Sequence, residues 1–145
     1  MKENKYDDEK FFEQYGRMTR SQLGLSGAGE WHVLREMLPD LAGKRMLDLG
    51  CGYGWHCKYA VDRGASKVVG IDLSQKMIHR AQELNADPRI EYRVASVEDF
   101  DYGERQFDVV LSSLTFHYIE SFEEICRKVG RCLVEGGCFV FSVEH

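Results

Sequence analysis

MLDLGCGYGWHCKYA, residues 46–60, sets Gly50, Gly52 and Gly54 at alternate positions directly after an apolar run that holds one acid, Asp48. Glycine weakens strands and helices alike, so three in alternation mark a sharp bend or a close approach of something to the main chain. The run before them, RMLDLG (45–50), reads as a strand, and a helix is expected from near Trp55 to just before Gly64. A strand that ends in glycines and opens a helix puts bare backbone at the carboxyl edge of a sheet. That edge is where doubly wound folds bind ligands, and the helix beyond offers unpaired N–H groups.

Four further runs read as strands: KVVGID (67–72), IEYRVAS (90–96), FDVVLSS (107–113) and CFVFSV (138–143). Of the five runs, the middle ones are apolar nearly throughout, as parallel strands covered on both faces are. Helical patterns separate most of them. In SFEEICRKVGRCL, residues Phe122, Ile125, Cys126, Val129, Cys132 and Leu133 form one apolar stripe, with Ser121 as its cap and Gly136-Gly137 as its stop. Ser74 is expected to cap another helix whose Met77, Ile78, Ala81 and Leu84 face inward. The alternation of strands and helices predicts right-handed crossovers and an α/β, doubly wound parallel sheet. Ahead of it, an acidic aromatic segment (YDDEKFFEQY), a small-residue loop (LGLSGAGE) and a helix from Glu30 to Leu38 are expected to form a helical cap over the sheet edge. The expectation is a single domain, 1–145, with cap 1–43 and sheet 44–145.

The 145 residues suffice for one such domain, and 43% hydrophobic with 30% charged residues is ordinary globular composition. A net charge of −5 with no densely basic window argues against nucleic acid as a partner. MKENKYDDEK carries charge where a signal peptide is apolar, and no apolar run has the length of a membrane span. A cytoplasmic protein with five reduced cysteines and no membrane partner is expected. No C-x-x-C pair occurs, and the even spacing of Cys126, Cys132 and Cys138 runs from a helix into a strand. No histidine pair has ligand spacing, so no metal is assigned.

Asp72 closes the second strand, 22 residues after Gly50. A carboxylate there can accept from both hydroxyls of a ribose; the plainer alternative is a tight turn with an N-cap acid. The spacing is G-x-G-x-G, not the G-x-G-x-x-G of dinucleotide sites. With MLDLGCGYG, VVGIDLSQKM, ASVEDF, FDVVLSSLTFHYI and VEGGCFVFSV, the chain resembles class I S-adenosylmethionine-dependent methyltransferases over residues 45–143. RSQLGLSGAGEWHVL is similar to the cap of a bacterial branch acting on small molecules.

The resemblance implies a Rossmann-like sheet of order 3-2-1-4-5, S-adenosyl-L-methionine as cofactor and a small-molecule acceptor. It implies that Gly50 and Gly52, with Cys51 between them, line the methionyl part, that Asp48 holds the amino group, that Asp72 binds the ribose and that Leu73 packs on the adenine. Main chain near Val97 would meet the adenine edge. Ser96 stands where many relatives carry an aspartate, so Glu98 or Asp99 is expected to substitute for it. Ser112, Ser113 and Leu114 would face the methionyl chain, whereas Asp108, at the start of its strand, is structural.

Methyl transfer displaces at a sulfonium, so the protein must chiefly align the partners and exclude water. A general base is needed only for an acceptor that carries a proton at the reacting atom, and His117 is the candidate catalytic residue. His56 is expected to be a local hydrogen-bonder, and His32 and His79 to be structural. Tyr53, Trp55 and Phe116 stand near the site by position, and Tyr6 and Tyr15 could reach it from the cap. Arg20, and less so Arg17, could clamp a carboxylate. The family usually adds a helix and two strands after strand five, whereas this chain ends at FSVEH. The expectation is therefore the N-terminal part of a longer protein, or a chain that pairs two copies through the apolar edge of strand five. Two other functions share these features: an NAD-dependent oxidoreductase half-domain, and a methyltransferase-like scaffold that binds without catalysis.

Overall fold

The computed structural model describes residues 31–113 and 122–142. The described elements are α1 (Trp31–Met37), β1 (Arg45–Leu49), α2 (Trp55–Asp62), β2 (Lys67–Asp72), α3 (Gln75–Leu84), β3 (Ile90–Val94), β4 (Phe107–Ser113), α4 (Phe122–Cys132) and β5 (Leu133–Ser142). All five strands are parallel, in the order β3-β2-β1-β4-β5. This is the α/β sheet expected from the sequence, with β1 at its centre.

The apolar runs of β1, β2 and β4 are buried because helices cover both faces. On one face Met46, Val68, Val109, Leu111 and Val140 pack with Trp31 and Leu34 of α1, Cys57, Ala60 and Val61 of α2, and Ile78 of α3. On the other, Leu47, Leu49, Val69, Ile71 and Val110 pack with Ile125, Val129 and Cys132 of α4. Val97, Phe100 and Tyr102, from the segment after β3, join that second cluster. Within the described residues the N-terminal helix thus packs on a face of the sheet, beside α2. Trp31 stacks at 5.0 Å on His56 and edge-on at 4.8 Å against Tyr59.

Ser74 caps α3 as expected, its hydroxyl accepting from Met77 N at 3.2 Å. Leu84, expected inward, is instead 39% exposed, at the last turn of α3. The buried series 77, 78 and 81 continues to Asn85, which is 2% exposed.

The glycine pair Gly136-Gly137 does not end α4. The helix stops at Cys132, where the Arg131 and Cys132 carbonyls accept from Arg105 N and Gln106 N at 2.9 and 2.7 Å. β5 begins at the next residue. Phe107 pairs with Leu133 and Val109 with Cys138, so residues 134–137 bulge out between them. Gly136, at φ +82°, lies in that bulge. Ser121 and the segment 114–121 lie outside the described residues.

At the amino edge of the sheet, Asp108 Oδ2 accepts from Arg45 N at 2.9 Å and Arg45 Nε at 3.3 Å, tying β4 to β1. Those hydrogen bonds hold its carboxyl below the usual range. The glycines stand at the opposite, carboxyl edge.

Candidate functional site

The loop after β1 is built by main chain. Gly50, Gly52 and Gly54 have φ of +72°, +55° and +85°, a region that side-chain-bearing residues enter only at a cost. Gly50 N and Cys51 N both donate to Ile71 O, at 2.9 and 2.8 Å, so the loop hangs from the end of β2. Gly54 N donates back to Cys51 O at 2.9 Å and begins α2, which has no side-chain cap.

Asp72 ties this loop to the next one. Its Oδ2 accepts from Gly52 N at 2.9 Å and its Oδ1 from Ser74 N at 3.0 Å. The two elements expected to frame a nucleoside are therefore in direct contact. An ionised carboxylate has about four acceptor positions, so these bonds orient Asp72 without exhausting it.

Asp48 pairs in register with Gly70, which puts it on the same face of the sheet as Asp72. It is 1% exposed. Its Oδ2 accepts from the Cys57 thiol at 3.5 Å, and its Oδ1 has no partner among the described residues. Burial pushes its carboxyl up to about 7, against the Cys57 hydrogen bond and with help from the Asp72 charge. A buried acceptor of this kind suits a cationic or strongly donating ligand group.

Gly70 makes this arrangement fit. A Cβ there would stand 2.9 Å from Cys57 Sγ and 3.1 Å from Cys51 Cβ and Sγ. Its role was legible as a lone glycine inside an apolar strand, a sign of close approach. Cys51 and Cys57 are both buried. Burial lifts the Cys51 thiol well above its ordinary value. For Cys57 the hydrogen bond with Cys51 pulls down, but burial and the Asp48 charge outweigh it and push the thiol to about 11. Both stay neutral near pH 7 and act as packing and hydrogen-bonding groups.

β3 ends at Val94, so Ser96, Val97 and Glu98 lie in the segment beyond it. Ser96 Oγ accepts from Asp99 N at 3.1 Å, capping that turn, and Lys128 Nζ donates to Glu98 O at 2.7 Å. Val97 is buried in the second core cluster, and Leu73 is half-buried after β2. Ser112 is fully buried, with no partner for its hydroxyl among the described residues. It pairs with Leu49, which places its side chain on the face opposite Asp48. His79 is exposed and pairs with Glu83 at 3.1 Å. Arg20, Leu114 and His117, with Tyr6, Tyr15, Arg17 and Phe116, lie outside the described residues, as do the side chains of Ser113 and His32. The structure thus brings together Asp48, Gly50, Cys51, Gly52 and Asp72. To these it adds Gly70, Cys57 and a buried Asn85 whose amide reaches Tyr53 O at 2.8 Å.

Residues 47–141 match a family model described as a methyltransferase domain. A solved S-adenosylmethionine dependent methyltransferase from Mesorhizobium loti is 47% identical with TM-score 0.82, covering 84% of this chain and 56% of that one. An uncharacterized protein of Haemophilus influenzae is 36% identical over 97% of this chain and 58% of its own length. A ubiquinone biosynthesis O-methyltransferase of Neisseria meningitidis is 32% identical over 79% of this chain and 54% of its own length. The chain spans a little over half the length of these relatives.

Proposed function

The chain belongs to the methyltransferase domain family, and from that premise we propose that it binds S-adenosyl-L-methionine at the carboxyl edge of β1 and β2 and serves methyl transfer to a small-molecule acceptor. One observation carries this reading. A buried carboxylate with an unpartnered oxygen, Asp48, and a loop-tying carboxylate, Asp72, share one face beside three glycines in left-handed conformation. Such a cradle fits an amino group at one end and a ribose at the other. The small-molecule acceptor takes its support from the name of the Neisseria relative.

In this reading Asp48 holds the amino group through Oδ1, and Gly50, Cys51 and Gly52 present main chain to the methionyl part. Asp72 accepts from the ribose hydroxyls, Leu73 packs on the adenine, and Ser96, Val97 and Glu98 border its edge. The main chain at the end of β4, at Ser112 and Ser113, is assigned to the methionyl chain, as is Leu114 after it, and Arg20 is assigned to the carboxylate. When bound, the cofactor supplies an electrophilic methyl on a sulfonium. The residues of this chain supply alignment and a water-poor floor, since Met46, Leu47, Leu49 and Ile71 beneath the loop are each no more than 1% exposed. His117 serves as base for an acceptor that must lose a proton.

Calorimetric titration tests the reading. S-Adenosylhomocysteine should bind with micromolar or better affinity and NADH should show no heat of binding. The reverse pattern would replace the reading with an oxidoreductase half-domain. Binding without turnover on a broad acceptor panel would favour a non-catalytic scaffold. The compartment we assign is the cytoplasm, in keeping with five free cysteines. Among the described residues no helix is long and apolar enough to cross a membrane.

We assign the outer edge of β5 to pairing with a second copy. Phe141 of β5, the last strand of the described sheet, is 37% exposed on the face that carries α4, its ring 5.0 Å from Phe139 and edge-on at 5.5 Å to Phe122. Light scattering is expected to give twice the chain mass at tens of micromolar, and Phe141→Lys is expected to return it to one chain. A monomeric wild type at that concentration excludes the pairing.

A further inference from the structure

The peptide between Tyr53 and Gly54 is held at both of its polar atoms. Its carbonyl accepts from Asn85 Nδ2 at 2.8 Å, and its N–H donates to Cys51 O at 2.9 Å. Asn85 comes from 32 residues further along the chain, directly after the last turn of α3, and is 2% exposed. Its own backbone is fixed twice. Its N–H donates to Ala81 O at 2.8 Å, and its carbonyl accepts from the Tyr92 hydroxyl of β3 at 2.8 Å. That hydroxyl also fills the space a Cβ on Gly54 would occupy.

Such an anchor is what a glycine loop needs. Glycine takes either hand of φ with little preference, so Gly50, Gly52 and Gly54 leave the free loop many arrangements. Binding a ligand to a loop that must first be ordered costs affinity; a loop already held in place avoids that cost. Ties from β2, through Ile71 O and Asp72, hold Gly50, Cys51 and Gly52. Asn85 adds one further along, at the Tyr53–Gly54 peptide.

We infer that Asn85, backed by Tyr92, is a positioning residue that fixes the Tyr53–Gly54 peptide and so preorganises the loop for the cofactor. The inference rests on the proposed cofactor site, but its structural half can be read without ligand. Asn85→Asp keeps the shape and removes the donor that faces Tyr53 O. Tyr92→Phe removes only the backing hydroxyl. In the ligand-free full chain, amide hydrogen exchange at Gly54 is expected to rise at least tenfold in Asn85→Asp and about threefold in Tyr92→Phe. The amides of Leu47 and Val69, in β1 and β2, should keep their wild-type rates. Calorimetry with S-adenosylhomocysteine at pH 7.5 should show at least tenfold weaker binding to Asn85→Asp.

Wild-type Gly54 exchange in the folded variant would overturn the inference. So would an acceleration shared equally by Leu47 and Val69, which would mark a general loss of stability, or unchanged affinity despite faster exchange at Gly54. Should Asn85→Asp fail to fold, Tyr92→Phe decides by the same readings, with about threefold weaker binding expected. A wild-type chain that does not bind S-adenosylhomocysteine removes the cofactor reading, while the exchange rates still decide whether Asn85 holds the loop.

Discussion

Asp72→Ala is expected to weaken S-adenosylhomocysteine binding about a hundredfold, measured by calorimetry on folded protein. Charged hydrogen bonds to the ribose hydroxyls contribute about 1.5–3 kcal/mol, which alone corresponds to a ten- to hundredfold loss. The structure places the variant at the upper end of that range. Asp72 Oδ2 also fixes Gly52 N, and Oδ1 fixes Ser74 N. Alanine therefore removes the proposed ribose acceptor and unties the glycine loop from the turn that opens α3. Asp72→Asn keeps one carbonyl oxygen for one of those N–H groups, and a loss of about tenfold is expected for it, since charge is lost but part of the tie remains. Near-wild-type affinity in Asp72→Ala would take Asp72 out of the site.

The same residue shows what a sequence can and cannot convey. That Asp72 ends a strand next to a glycine loop follows from period and order, because β1 and β2 are apolar runs broken by turn residues. That its two oxygens bridge Gly52 and Ser74 does not follow, because the bond to Gly52 links residues 20 apart whose distance is set by strand register. Asn85 was hidden for a related reason. It continues a buried helical series begun by Met77, Ile78 and Ala81, but it is polar, so an apolar count passes over it and promotes Leu84. Its partner, the Tyr53 carbonyl, is a backbone atom with no sequence signature. Gly136-Gly137 is a familiar stop signal, yet α4 ends at Cys132. The carbonyls that end the helix are met instead by Arg105 N and Gln106 N, from a different part of the chain. The motif position of Ser96 says nothing of its local bond, since its hydroxyl accepts from Asp99 N across a turn that no periodicity marks.

Asp48→Asn is expected to strengthen the ligand-free fold at pH 8 while costing most of the cofactor affinity. The folded carboxyl titrates near 7, raised from 3.8 first by burial, then lowered in part by the Cys57 hydrogen bond and raised again by the Asp72 charge. Between those two pH values the folded protein therefore holds more protons than the unfolded chain. Stability falls as pH rises through that window and levels off above about 7. The gap corresponds to about 4 kcal/mol of strain carried by the ionised group at pH 8. Asparagine removes the charge but buries an amide without an assured partner, which costs about 1–3 kcal/mol. A net gain of about 1–3 kcal/mol at pH 8 is expected from urea denaturation, vanishing or reversing near pH 4. Binding should move the other way. An ammonium group on Oδ1 favours the ionised carboxylate, so wild-type affinity for S-adenosylhomocysteine should fall by up to tenfold per pH unit below 7 and be flat from 7 to 8. In Asp48→Asn the affinity at pH 8 should be about a hundredfold weaker, from losing a buried charge-assisted bond, and its dependence on pH between 5.5 and 8 should be nearly gone. A variant that binds as tightly as wild type, or keeps the wild-type pH profile, would show that the amino group is held elsewhere. A variant less stable than wild type at pH 8 would show that Asp48 is not carried as a strained, buried charge.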